Sequence, residues 1–212
     1  MEKILFVLFG APGSGKGYLG ECLKSEIEKK GFAVKYISTG DLLREEIALK
    51  TPLGEQLAQT IASGKLVPDD VVDALVEKAL KAEETVLFLD GYPRTYSQFL
   101  AFTSFVEAED AFKVVVVKRD TPVELILERV AKRRVCATCK ATHSVDDGCC
   151  PKCGGESVIR KDDAVIRGRL EEYEANTAGL WNDLRLFAEE MYVVEGSEEA
   201  TKAASEIVED LF

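Results

Sequence analysis

The amino-acid sequence predicts an α/β protein: a doubly wound, parallel sheet of five strands flanked by helices. Three observations predict this fold. Short apolar runs rich in Val, Ile and Phe alternate along the chain with longer segments of helical periodicity. A glycine-rich sequence directly follows the first apolar run. Residues that begin or end helices stand at the expected boundaries of several helical segments.

The predicted strands cover residues 4–9, 33–37, 86–90, 113–118 and 191–194. The predicted helices cover about 17–30, 39–49, 52–63, 69–82, 95–108, 121–134, 164–189 and 198–211. Gly31 should end the first helix, because glycine readily adopts the left-handed conformation that closes helices. Acidic residues follow Pro68 at the start of the fourth helix. Thr121, with Glu124 three residues later, predicts a capping box.

The first strand leads into the sequence Gly-Ala-Pro-Gly-Ser-Gly-Lys-Gly at residues 10–17. Glycines let backbone N–H groups turn towards a phosphate chain, and Lys16 adds a positive charge for the β- and γ-phosphates. The general phosphate-loop pattern has Ser or Thr after the lysine. Here Gly17 stands at that position and Tyr18 follows it. The loop therefore predicts a nucleotide site with a local departure from the usual pattern.

Two segments interrupt the alternation of strands and helices. Residues 38–67 carry two helical segments with no strand between them, and residues 135–160 are rich in cysteine, glycine and polar residues. We interpret both segments as insertions into one core, which suits a chain of 212 residues. The sequence shows no internal repeat and no low-complexity tail.

The composition narrows the possible partners. The chain has a formal net charge of −11, which disfavours general nucleic-acid binding. No apolar run approaches the roughly 20 residues of a membrane span, and no signal peptide is recognisable. Basic residues still cluster locally, which suggests a small polyanionic ligand, while solvated helix faces remain an equal alternative for any single arginine. These clusters are Arg129, Lys132, Arg133 and Arg134, and then Arg160, Lys161, Arg167 and Arg169.

Five of the six cysteines fall within residues 136–153. Cys136 and Cys139 form one pair with a two-residue gap, and Cys150 and Cys153 form another. Two such pairs predict a closed tetrahedral site for structural zinc, although iron is not excluded by spacing and the thiols could also be free. Cys149 is the spare cysteine of the cluster. The clustering indicates a metal site in a reducing, cytoplasmic compartment.

Three further strings accompany the phosphate loop. They are Ser-Thr-Gly-Asp-Leu-Leu-Arg at 38–44, Asp-Gly-Tyr-Pro-Arg-Thr at 90–95 with Gln98, and Arg-Lys-Asp-Asp at 160–163 ahead of Arg169. In this order and at this spacing the chain resembles the adenylate kinases, specifically the long-lid type with a four-cysteine zinc lid. The resemblance extends from about residue 4 to residue 208.

The resemblance implies a phosphate-loop nucleoside monophosphate kinase fold and reversible phosphoryl transfer from Mg-ATP to AMP, which gives two ADP. It implies a core domain made of residues 1–37, 68–131 and 164–212. An insertion at 38–67 would bind the monophosphate, and an insertion at 132–163 would form the zinc lid. A cytoplasmic monomer is expected, because two closing insertions need free surfaces.

The resemblance also implies the site residues. Those implied for ATP are Gly13, Ser14, Gly15, Lys16, Gly17, Tyr18, Arg129, Arg133, Thr142, His143 and Glu198. Those implied for AMP are Thr39, Arg44, Lys65, Leu66, Val67, Gly91, Tyr92, Arg94, Gln98, Arg160 and Arg169. Those implied for phosphoryl transfer are Lys16, Arg94, Arg133, Arg160 and Arg169. Asp90 would orient magnesium through water, and Cys136, Cys139, Cys150 and Cys153 would hold zinc.

The sequence departs from the family pattern at several points. Tyr18 replaces the usual threonine, which leads us to expect weaker ATP use. His143 lies where the family commonly has a Tyr-His pair. The lid is shorter than is usual for the long-lid type. Ten residues separate the two cysteine pairs, and about two residues are missing before Arg169.

Three alternatives to an AMP kinase stay open at this point. One is a kinase for UMP, CMP or GMP. Gln98 and the long zinc lid favour AMP over these acceptors. Another is a nucleotide-binding relative with little turnover, supported by Tyr18. The third is a phosphate-loop protein whose cysteine pairs bind nucleic acid or protein, which the acidic composition disfavours.

Overall fold

The computed structural model describes residues 3–62, 67–139, 141–159 and 165–212. Its strands are β1 (Lys3–Phe9), β2 (Val34–Ser38), β3 (Val86–Asp90), β4 (Phe112–Asp120), β5 (Arg133–Cys136), β6 (Thr142–Ser144), β7 (Ser157–Val158) and β8 (Glu190–Glu195). Its helices are α1 (Lys16–Lys29), α2 (Thr39–Ala48), α3 (Pro52–Ala62), α4 (Asp69–Leu80), α5 (Tyr96–Glu109), α6 (Val123–Lys132), α7 (Ile166–Asn176), α8 (Leu180–Phe187) and α9 (Ala200–Leu211).

The main sheet has five parallel strands in the order β2-β3-β1-β4-β8. In its centre Phe6 of β1 lies between Phe88 of β3 and Val115 of β4. The predicted α/β fold, with its five-stranded parallel sheet, is confirmed. The central strands β1, β3 and β4 are apolar because both of their faces are covered by helices.

Successive side chains of β1 point to opposite faces of the sheet and enter two separate cores. Leu5 and Val7 pack with residues of α4, α5 and α8, and Phe6 and Leu8 pack with residues of α1 and α9. The helices that follow the adjacent strands β1 and β3 therefore cover opposite faces. Such a switch point leaves a crevice at the carboxyl ends of the two strands, where ligands bind in open α/β sheets.

The long helix predicted over 164–189 is divided. The structure has α7 and α8 instead, separated at residues 177–179. The backbone N–H groups of Thr177 and Ala178 both donate to the carbonyl of Tyr173, and the Thr177 hydroxyl donates to the carbonyl of Arg94 at 2.8 Å. Periodicity alone missed this break because the contact that stabilises it comes from a distant part of the chain.

The predicted helix 121–134 is shorter than expected at both ends, because α6 covers Val123–Lys132. Thr121 does not cap it: the Thr121 hydroxyl donates to the carbonyl of Ser14 at 3.0 Å. At the other end Arg133 is extended and begins β5. That strand pairs with β6 and β7 in a small antiparallel sheet, which the sequence did not predict.

Candidate active site and lid

The phosphate loop connects β1 to α1 at the carboxyl edge of the main sheet. Gly13 and Gly15 have φ angles of 84° and 93°, a conformation that favours glycine. A Cβ atom on Gly13 would lie 2.8 Å from a methyl carbon of Ile126, so a side chain has no room there. Gly15 immediately precedes α1, and the helix N-terminus presents free N–H groups and a positive dipole end to an anion.

Lys16 faces the end of β3 across this crevice. Its amino nitrogen lies 4.0 Å from the Asp90 carboxylate. Burial lowers the pKa of Lys16, the Asp90 charge opposes that shift, and the guanidinium groups of Arg94, Arg169 and Arg133 add to it. Three guanidinium groups are therefore close enough to Lys16 to act on its charge, and Lys16 itself faces one carboxylate. Their mutual repulsion would be relieved by a polyanion placed between them.

Asp90 ends β3 and is held by a second contact. The hydroxyl of Tyr36 donates to its carboxylate at 3.1 Å. A Cβ atom on Gly17 would lie 3.5 Å from the same carboxylate, so the missing side chain keeps the approach from α1 open. A carboxylate near phosphates and partly exposed to solvent suits water-mediated binding of magnesium.

Thr39, Gly91 and Arg94 form a compact group next to Asp90. Arg94 donates through Nε to the carbonyl of Gly91 at 2.7 Å and through Nη2 to the hydroxyl of Thr39 at 3.3 Å. The Thr39 hydroxyl donates to the same carbonyl at 3.1 Å. Burial, and then the charge of Arg169, lower the pKa of Arg94. The structure thus brings these residues from two distant sequence strings together.

Gln98 is buried at the start of α5, with its side-chain amide already bonded. Its Nε2 donates to Asp69 at 2.8 Å, and its Oε1 accepts from the backbone N–H of Arg94 at 2.8 Å. Tyr92 is also buried, and its hydroxyl donates to Asp73 at 2.6 Å. The amide retains one N–H and one oxygen lone pair with which to read a base.

The remaining residues of the predicted AMP site are less converged. Arg44 is exposed on α2 and pairs with Asp41 at 2.5 Å, one turn earlier on the same helix. Val67 is half-buried just before α4. Lys65, Leu66 and the lid arginine Arg160 lie outside the described residues.

On the opposite side of the phosphate loop, Arg129 joins two backbone segments. It donates through Nη1 to the carbonyl of Ser14 at 3.2 Å and through Nη2 to the carbonyl of Gly196. Gly196 and Glu198 belong to the turn between β8 and α9. This turn therefore lies beside the phosphate loop.

Tyr18 lies on the surface of α1. Its side chain is exposed and lies near Cys22, one turn further along the helix. Cys22, together with partial burial, raises the pKa of Tyr18. The hydroxyl of Tyr18 thus lies on the helix surface, at a position where the family pattern has a threonine.

Sequence reasoning missed Arg119. This residue lies in β4, is only 4% exposed, and donates to the carbonyls of Gly196 at 3.1 Å and Glu198 at 2.7 Å. The sequence carries little signal for it, because Arg119 directly follows the predicted strand 113–118 and reads as a charge beyond its end. A buried arginine in a parallel strand is uncommon unless it has a specific partner.

The four predicted metal ligands converge in the lid. The sulfur atoms of Cys136, Cys139, Cys150 and Cys153 all lie within 4.8 Å of one another. Tetrahedral zinc–sulfur bonds of about 2.3 Å require sulfur separations of about 3.8 Å, close to the 3.5 and 3.6 Å of two of the pairs. The backbone N–H of Cys139 is the main cause that lowers the pKa of Cys136 to about 6, which favours the metal-binding thiolate.

The other predicted lid residues make their contacts within the lid. The side chain of His143 is only 2% exposed. Its Nε2 lies 3.2 Å from the hydroxyl of Ser157, and its Nδ1 lies 3.0 Å from the carbonyl of Ser144. Thr142 begins β6 and pairs with Val135, and Cys149 is exposed beside the cluster without being part of it.

No helix among the residues that the structure describes is both long and apolar enough to cross a bilayer.

Comparison with known proteins agrees with this geometry. The family model described as adenylate kinase matches residues 8–185. The chain is 36% identical over 216 residues to an adenylate kinase of Caldicellulosiruptor bescii, covering 97% of each chain. It is 36% identical over 184 residues to one of Clostridium tetani, covering 82% of this chain and 83% of the relative. It is 33% identical over 218 residues to one of Clostridium perfringens, covering 98% and 95%.

The fold and the site define a phosphate-loop phosphotransferase of the nucleoside monophosphate kinase class. Within that class the chain belongs to the adenylate kinase family. It is therefore an enzyme that transfers a phosphoryl group between ATP and AMP, and the resemblance inferred from the sequence is confirmed. A family with this activity uses magnesium with ATP, and the four-cysteine cluster is compatible with a zinc site.

Proposed function

We propose that the crevice at the carboxyl ends of β1 and β3 holds Mg-ATP and AMP with their phosphates facing each other. Lys16, Arg94, Arg133 and Arg169 neutralise the group in transfer. The observation that supports this assignment is the proximity of the three guanidinium groups to Lys16, which itself faces Asp90. Arg160, outside the described residues, is proposed to join them.

Phosphoryl transfer requires little covalent chemistry from the protein. A phosphate oxygen of AMP attacks the γ-phosphorus of ATP, the bond to the β-phosphate oxygen breaks, and ADP leaves. Positioning and charge stabilisation supply most of the acceleration in such transfers. Guanidinium groups suit this role because their planar fork matches phosphate oxygens. The reverse reaction uses the same residues.

Magnesium would be held near Asp90 through water, since that carboxylate faces Lys16 and the open side of Gly17. When bound there, the ion would help to neutralise the charge that develops on the phosphates during transfer. The contact from Tyr36 fixes one carboxylate oxygen of Asp90, so that its orientation is set before nucleotide arrives.

On the AMP side, Arg94 is proposed to bind the phosphate, with Thr39 and Gly91 orienting its guanidinium. Gln98 is proposed to read adenine with the N–H and lone pair that its present contacts leave. Arg44 would have to turn from Asp41 towards the phosphate. The other proposed AMP contacts are Lys65, Leu66, Val67, Tyr92, Arg160 and Arg169.

On the ATP side, the loop from Gly13 to Tyr18 is proposed to hold the phosphates. Arg129 and the backbone near Glu198 would enclose the adenine, with Arg133 and Thr142 closing over the nucleotide. For His143 the geometry favours packing inside the lid over the ATP contact expected from the sequence. Its ring is enclosed and both ring nitrogens have partners.

The two insertions, residues 38–67 and 132–163, are proposed to close over the substrates and exclude water, which would otherwise hydrolyse ATP. Zinc held by the four cysteines would stiffen a lid too small for an apolar core. We also propose that the enzyme acts as a cytoplasmic monomer. Elemental analysis of the purified chain distinguishes zinc from iron, and sedimentation gives its oligomeric state.

A direct test is ADP formation from ATP with AMP, UMP, CMP or GMP as acceptor, using purified, metal-loaded chain. AMP should be the preferred acceptor by a wide margin. Lys16→Met provides the matched inactive control, because it removes the charge but keeps the length of the side chain. Equal rates with AMP and UMP, or equal rates for wild type and this variant, would contradict the proposed site.

A further inference from the structure

Arg119 is the buried charge that the proposed mechanism leaves unused. It lies in β4 with 4% of its surface exposed. Only one nitrogen, Nη2, has partners, which are the carbonyls of Gly196 and Glu198. Its Nε and Nη1 are buried and make no hydrogen bond within the described part of the chain.

This arrangement is not explained by stability. A buried guanidinium with two unbonded nitrogens is costly, and apolar residues of similar volume often replace buried charges without loss of stability. Burial and the nearby charge of Arg129 lower the pKa of Arg119, and Glu198, Cys22 and Glu195 oppose this shift without reversing it. The side chains around Arg119 therefore compensate only in part, so its two backbone contacts need another reason.

Both contacts hold the turn between β8 and α9. The same turn is fixed to the phosphate loop through a second arginine, because Arg129 joins the carbonyls of Ser14 and Gly196. Gly196 also donates its N–H to the carbonyl of Asp120 at 2.5 Å and packs against Thr121. The turn is therefore placed at a fixed distance from the site where the ATP phosphates enter.

We propose that Arg119 is a positioning residue for the ATP base. It fixes the backbone of the β8–α9 turn through the carbonyls of Gly196 and Glu198, and it thereby sets both the affinity for ATP and the preference for adenine. The inference rests on the proposed placement of ATP between the phosphate loop and this turn.

The preference follows from hydrogen-bond chemistry. Adenine carries an amino group at position 6, which donates, whereas guanine carries a carbonyl there, which only accepts. The carbonyl oxygen of Glu198 keeps one lone pair beyond its bond from Arg119, and a lone pair offered to this position binds adenine and repels guanine. If Arg119 no longer holds the turn, the turn can relax and the repulsion of guanine is lost together with the attraction of adenine.

The test compares wild type with Arg119→Met and Arg119→Lys in steady-state kinetics, with ATP or GTP as phosphoryl donor. For Arg119→Met we expect the KM for ATP to rise about tenfold, the loss of about one charge-assisted hydrogen bond. The ratio of kcat/KM for ATP over GTP should fall by a similar factor. The KM for AMP should not rise, and the midpoint of thermal unfolding should not fall. Arg119→Lys should restore much of the selectivity.

Lys118→Met is the matched control, because Lys118 is the neighbouring cation of β4 and contacts Trp181 and Asp120 instead. It should leave the ratio of ATP over GTP unchanged. An Arg119→Met enzyme with unchanged selectivity, or with ATP and AMP affinities lost in parallel and a lower midpoint, would overturn the inference.

If Arg119→Met does not fold, Gly196→Ala tests the same turn. Its new Cβ would lie 2.5 Å from the Thr121 hydroxyl and push the turn away. It should lower the ATP over GTP ratio, and an unchanged ratio would equally overturn the inference. An inactive wild type would instead refute the proposed function, so that the two failures are distinguishable.

Discussion

Replacing Tyr18 by threonine should make this enzyme use ATP more efficiently. Tyr18 is the third residue of α1, in the helical turn that is proposed to receive the phosphates. Its side chain is exposed and lies near the thiol of Cys22, one turn further along. A threonine side chain is too short to reach that thiol and would keep its hydroxyl beside the phosphate loop.

The size of the effect follows from what the substitution removes and what it adds. The Tyr18 side chain is 65% exposed, so truncating it should cost less than about 0.5 kcal/mol of stability. A new hydroxyl contact to a charged phosphate is worth about 1.5 kcal/mol at the lower end of the usual range. That corresponds to about a tenfold gain in kcat/KM for ATP.

The assay is steady-state ADP formation at fixed, saturating AMP, together with thermal unfolding of each variant. Tyr18→Phe is the matched control, because it removes only the hydroxyl; its kcat/KM should equal that of wild type. An unchanged or lower kcat/KM for Tyr18→Thr would refute the reasoning, as would a substantial loss of activity in Tyr18→Phe.

Three further substitutions test other parts of the account. Cys136→Ser should abolish stoichiometric zinc in elemental analysis and strongly reduce turnover, while the far-ultraviolet circular dichroism of the core persists; retained zinc would contradict the four-sulfur site. Gly13→Ala, whose Cβ would lie 2.8 Å from Ile126 at a φ of 84°, should lower kcat/KM for ATP about tenfold to hundredfold; wild-type kinetics would contradict a strained loop. Burial raises the pKa of Asp73 despite the bond from Tyr92, so the folded state disfavours its charge and stability falls as pH rises through that pKa. Asp73→Asn should therefore be more stable than wild type at pH 7 and lose this advantage near pH 3, as followed by thermal unfolding; an advantage independent of pH would contradict the assignment.

Much of the fold could be predicted because its determinants are local in sequence. The strand from residues 4 to 9 is apolar on both faces, and the glycine-rich sequence after it predicts a tightly turning loop. Strand, loop and helix therefore follow from one stretch of sequence. The two cysteine pairs are equally local. Their spacing alone predicts the four-sulfur cluster that the lid shows.

What could not be predicted depends on contacts between distant residues. Thr177 ends α7 by bonding to Arg94, which lies 83 positions earlier. Arg119 reads in sequence as an exposed charge beyond a strand end, and only folding shows that it is enclosed beneath the β8–α9 turn. His143 has the chemistry of a nucleotide ligand, but the three-stranded lid sheet turns its ring inward.

We propose that one crevice binds two nucleotides with their phosphates facing each other. Calorimetric titration with a mimic that joins two adenosines through five phosphates tests it most directly. The account predicts one mimic per chain, at least about 100-fold tighter than ATP alone, with clear weakening in both Lys16→Met and Arg94→Met. Binding no tighter than that of ATP, or unaffected by either substitution, would contradict it.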